Sequence, residues 1–123
     1  MMDLKAKPEI ESDLADLRDN AARASVLLKA MANKQRLVIL CHLVESEKTV
    51  SALRGQIGLS QSALSQHLAI LRHDGLVRAR RAGTTVIYSL ASREAAALMA
   101  TLYELFCDST TRTQNGEQIA ERP

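Results

Sequence analysis

Two short runs with helical spacing of apolar residues stand only a few positions apart, and they constrain this chain more than any other feature. The first carries Val50, Leu53 and Ile57 behind Thr49, a residue suited to capping a helix N-terminus. The second starts at Ser60, another capping residue, and carries Leu64, Leu68 and Leu71. Between them lie only Gly58, Leu59 and Ser60. Gly58 supplies the left-handed residue that ends the first helix. Two short helices joined this tightly read as a helix-turn-helix.

The flanking segments extend the pattern. Residues 1 to about 11 are polar, contain Pro8 and read as a flexible tail. A helix is expected from about residue 12 to Ala32, with Leu17, Ala21, Ala24, Leu28 and Met31 on one stripe. Asn33 is suited to cap a second helix over Lys34 to Glu45, whose shared face is expected to hold Leu37, Leu40, Cys41 and Val44. Past the helix-turn-helix, Gly75 ends the helix begun at Ser60. Leu76 to Arg81, a turn at Ala82-Gly83, and the β-branched run from Thr84 to Leu90 then predict a β-hairpin. Ser92 caps a last helix to about Cys107, with Ala95, Leu98, Met99, Leu102, Leu105 and Phe106 apolar. Residues 108–123 read as a disordered tail. The expected architecture over 12–107 is mainly α with one hairpin, a winged helix-turn-helix.

Charge and composition bear on the partner. Residues 21–93 carry eleven basic groups against three acidic ones. The first twenty residues carry three against six, and the last thirty carry two against five. A basic middle between acidic ends suits a polyanion. With no Trp, two Tyr and one Phe, the chain lacks the aromatic platform of base-stacking folds, so duplex DNA is the better match. The longest apolar stretch, Leu37 to Val44, is broken by His42 and too short to span a membrane. The acidic N-terminus lacks the apolar core of a signal peptide, and a cytoplasmic location is expected.

At 100° per residue, the helix from Ser60 turns Leu64, His67, Leu68 and Leu71 inward. Ser62, Ser65, Gln66 and Ala69 lie opposite, with Gln61 and Arg72 on the flanks. The outer face is small and polar, without a carboxylate before Asp74. It can enter a major groove, where Gln pairs with adenine and Ser reaches base or phosphate. His67, at the core edge, is expected to be packed or to contact phosphate rather than to bind metal. Arg78, Arg80 and Arg81 before the hairpin turn, and Thr84 after it, are candidates for phosphate or minor-groove contact. No cofactor motif is present, and His42 and His73 have no partner at a ligand-like spacing.

The run from Leu28 to Leu40 (LKAMANKQRLVIL), Gly58 to Leu68 (GLSQSALSQHL), Leu71 to Val77 (LRHDGLV) and Arg80 to Gly83 together resemble the ArsR/SmtB family of bacterial winged-helix repressors. The resemblance covers about Leu14 to Cys107. It implies a homodimer built from the first and last helices and bound to an inverted-repeat operator. The cysteine and Asp/His sets through which many relatives sense metals are missing: the first reads Val50-Ser51-Ala52-Leu53, and the last helix offers only Glu94 and Glu104. Cys41 and Cys107 instead match the positions of the two thiols in the SqrR/BigR type. That resemblance implies sensing of reactive sulfur species such as persulfides or polysulfides, through a disulfide or longer sulfur bridge that releases DNA. The alternatives are an ArsR-type repressor answering to metal or another ligand, and a thiol redox enzyme. The absence of CxxC argues against the enzyme.

Overall fold

The computed structural model describes residues 7–107. The two tails expected at 1–11 and 108–123 lie outside the described residues, apart from 7–11. In chain order the elements are α1 (Lys7–Asp19), α2 (Ala21–Met31), α3 (Lys34–Glu45), β1 (Lys48–Thr49), α4 (Val50–Ile57), α5 (Gln61–His73), β2 (Val77–Ala82), β3 (Thr85–Leu90) and α6 (Arg93–Cys107). The helix-turn-helix is α4–α5 and the hairpin is β2–β3, as the sequence predicts.

The helix ends follow the residues expected to make them. Asn33 Oδ1 accepts from the Arg36 N–H at 3.0 Å, and Thr49 Oγ1 from Ala52 at 3.0 Å. Ser60 Oγ accepts from Ala63 at 3.1 Å, and Ser92 Oγ from Ala95 at 2.9 Å. Each satisfies one of the N–H groups that a helix start leaves free. Gly58 ends α4 at φ +84°. Gly75, at φ +82°, ends α5 in a Schellman turn: the Leu76 N–H reaches Leu71 O at 2.9 Å, and the Gly75 N–H reaches Arg72 O at 3.1 Å. Leu76 is then buried beside Leu71, which aims the chain into the hairpin.

Four expectations shift. The long first helix is interrupted at Asn20, whose side-chain amide donates to Asp16 O at 2.9 Å and whose backbone leaves helical geometry. It also begins at Lys7, because a proline in the first turn gives up no helical hydrogen bond. On α3 the buried residues are Ile39, Leu40 and Leu43; Leu37 and Cys41 are half-buried, and Val44 is 41% exposed. The inward face is therefore rotated from the expected one. Finally, Ala82 pairs with Thr85, so the turn is Gly83-Thr84, with Gly83 at φ +67° as a type II′ hairpin requires. A strand not foreseen, β1, pairs antiparallel with β3 (Lys48 with Tyr88, Thr49 with Ile87) and gives the sheet order β1-β3-β2.

The core gathers around α3, which packs on α4, α5, α6 and β3. Leu53 of α4, Leu64, Leu68 and Leu71 of α5, and Ala95 and Met99 of α6 close on Ile39 and Leu40. Replacing Leu68 by Ala is expected to lower unfolding free energy by about 2–5 kcal/mol. Replacing its outward neighbour Gln66 by Ala should change it by no more than about 0.5 kcal/mol. Denaturant unfolding at fixed protein concentration checks both; equal losses would contradict this assignment of faces.

Candidate nucleic-acid interface and thiol pair

Burial of Leu64, Leu68 and Leu71 fixes which side of α5 faces outward. Gln61, Ser62, Ser65, Gln66, Ala69 and Arg72 are all exposed, and no carboxylate interrupts them between Gln61 and His73. The structure therefore gathers the sequence-predicted polar residues of this helix on one face. His67 sits on its flank, half-buried, with Nδ1 3.4 Å from Arg36 Nη1. His73 pairs locally, its Nδ1 3.2 Å from Asp74 Oδ1.

The hairpin arginines are distributed differently. Register pairs Arg78 with Ser89, Arg80 with Ile87 and Arg81 with Val86. Strand alternation puts Arg78 and Arg80 on one face of the ribbon and Arg81 on the other. Arg80 also donates to Glu47 Oε2 at 2.8 Å, which holds the hairpin to the segment before β1. Thr84 is exposed at the tip. The grouping expected from the sequence is thus split, leaving Arg78 and Arg81 without an ion-pair partner among the described residues.

The thiols lie on two helices that pack together, α3 and α6. Cys41 is half-buried against the core, and Cys107 is exposed at the last residue of α6. Tyr103, which the sequence did not single out, stands one helical turn before Cys107 on α6, in the neighbourhood of Cys41. Its phenol is held above its ordinary range, first by burial, then by the neighbouring Cys41 thiol, and further by Cys107 and Glu45. An aromatic four residues before a candidate thiol on one helix is the signal that could have found it.

Glu94, one of the two carboxylates of α6, lies in its first turn, where its own backbone N–H and the Ser92 hydroxyl hold its carboxyl below the usual range. Among the described residues no three His, Cys, Asp or Glu side chains converge as metal ligands, and no helix is long and apolar enough to cross a membrane.

A helix-turn-helix with a polar second helix and an arginine-bearing hairpin beside it defines a winged-helix DNA-binding regulator. Comparison with known proteins agrees. Residues 33–79 match the model of the bacterial regulatory protein, arsR family. The chain is 50% identical over 97 residues to the transcriptional activator HlyU of Vibrio cholerae, covering 79% of this chain and 90% of that relative. The solved structure of the transcriptional repressor BigR from Xylella fastidiosa superposes with TM-score 0.72 at 40% identity, over 76% of this chain and 95% of that one. A homodimeric winged helix-turn-helix DNA-binding domain from Mycobacterium bovis gives TM-score 0.62 at 36% identity, over 80% of this chain and 88% of that one. The chain belongs to the ArsR family, and the named regulators it resembles act in transcription rather than as enzymes.

Raised by burial and by neighbouring negative charge, the Tyr103 phenol should ionise above the ordinary tyrosine range. Ultraviolet titration should show a late phase that disappears in Tyr103→Phe. In Cys41→Ser the phase should move to lower pH, because the thiol that favours the neutral phenol is gone. A late phase unmoved by Cys41→Ser would contradict the contact.

Proposed function

We propose that this protein is a homodimeric operator-binding repressor whose grip on DNA is released when reactive sulfur species bridge Cys41 and Cys107. The observation that carries the reading is the packing of α3 against α6, the two helices that bear Cys41 and Cys107. The matching thiol positions in the SqrR/BigR type support it. The name of the Xylella relative, a repressor, supports the direction of control.

On DNA, Gln61, Ser62, Ser65 and Gln66 read the major groove. Arg72, Arg78, Arg81 and Thr84 contact the backbone or the adjacent minor groove, and Arg80 adds to them when it leaves Glu47. A second copy covers Leu14, Leu17 and Leu28 of α1 and α2 and Leu105 and Phe106 of α6, which are apolar and more than half exposed in the single chain.

The chemistry balances without a further oxidant. Exposed Cys107 takes a sulfane sulfur from a persulfide, becoming a hydropersulfide or a longer sulfur chain, and the donor leaves as its thiol. The Cys41 thiolate then attacks a sulfur of that chain, displaces hydrosulfide, and closes a disulfide or a bridge with inserted sulfur. A wider gap between Cα atoms than about 6.8 Å favours inserted sulfur over the simple disulfide. The bridge ties the end of α6 to α3, beside the surface that the second copy covers.

Intact mass after persulfide treatment tests this. The wild type should change mass by a bridge, with or without added sulfur, that dithiothreitol reverses. Cys41→Ser should retain an open persulfide on Cys107, and Cys107→Ser should form no bridge. Identical mass changes in wild type and both variants would overturn the reading.

A further inference from the structure

One side chain ties together α2, α3 and α5. Arg36 lies in the first turn of α3, yet its guanidinium reaches back to the end of α2. Its Nε donates to Ala30 O at 2.6 Å, and Nη2 donates to Lys29 O at 3.3 Å. The last carbonyls of a helix lack partners within it. Here the Ala32 N–H serves Leu28 and Lys29, the Asn33 N–H serves Met31, and Arg36 serves Ala30. A cation at this end also complements the helix dipole.

The remaining arm, Nη1, stands 3.4 Å from His67 Nδ1 on the flank of α5. A guanidinium has donors only, so Nδ1 is the acceptor in this contact. Both side chains are half-buried, and Gln66, on the DNA-facing side, adjoins His67 in sequence. A planar fork can hold three directions at once, as a lysine ammonium on a flexible stem cannot.

We propose that Arg36 is a positioning residue for operator binding: through His67 it sets the roll of α5 against α2 and makes no phosphate contact of its own. α2 carries part of the apolar surface assigned to the second copy, so the same link sets each recognition helix relative to the dimer interface. This rests on the DNA-binding part of the proposed function and not on the thiols.

The test uses the full chain and a duplex that the wild type selects from a random-sequence pool, with affinity measured across a salt series. His67→Ala, Arg36→Lys and the double variant should each bind about tenfold more weakly. The double should be no weaker than the weaker single, because both changes break one unit. The log–log salt slope should stay at the wild-type value, since each lost phosphate contact would reduce it by about 0.9. His67→Asn, whose Oδ1 stands near the position of Nδ1, should restore most of the affinity. Thermal unfolding identifies variants that fold; should Arg36→Lys fail, the two His67 variants still decide through affinity, slope and rescue. A slope reduced by about one, losses that multiply in the double variant, or unchanged affinity would overturn the inference. A wild type that enriches no duplex would remove the DNA-binding reading and this inference together.

Discussion

Burial of the leucine face of α5 is the contact on which the rest of the molecule depends. Leu64, Leu68 and Leu71 are fully enclosed by α3, α4 and the start of the hairpin, so the helix has only one side left to present. That side is short, polar and free of carboxylates, which lets it approach a polyanion without repulsion. The Schellman turn at Gly75 then buries Leu76 and Val77 and launches the hairpin beside it. Both candidate DNA-contacting elements are aimed by one set of apolar contacts.

α6 serves two purposes along its length. Its first turns are anchored by the Ser92 cap and by Ala95 and Met99 in the core. Its last turns expose Leu105 and Phe106 and end at Cys107. A covalent tie from its end to Cys41 would act where the helix is least held by its own core, and onto the surface assigned to the second copy. The recognition helix is reached through α3, which packs on both α5 and α6.

What was legible in the sequence is what single residues decide locally. Asn33, Thr49, Ser60 and Ser92 announce helix starts because their side chains accept from an N–H three residues on, and Gly58 and Gly75 announce ends because they take positive φ. α5 was readable because its leucines and its polar residues fall on opposite faces, with Ile70, 41% exposed, the one exception. α3 was not, because apolar residues surround it: Leu37, Cys41 and Val44 compete with Ile39, Leu40 and Leu43, and only packing decides. β1 is two residues long and has no periodicity to read. The partners of Arg36, Arg80 and Cys41 are set by tertiary packing, as the 33-residue separation of Arg80 from Glu47 illustrates.

The account stands on one coupling, that sulfur chemistry at the end of α6 changes the fit of two recognition helices to DNA. Its most direct test is the affinity of the wild-type protein for a selected duplex at one fixed ionic strength, before persulfide treatment, after it, and after dithiothreitol. The account predicts at least a tenfold loss on treatment and full recovery on reduction. A bridged protein that binds the duplex as tightly as the reduced one would contradict it.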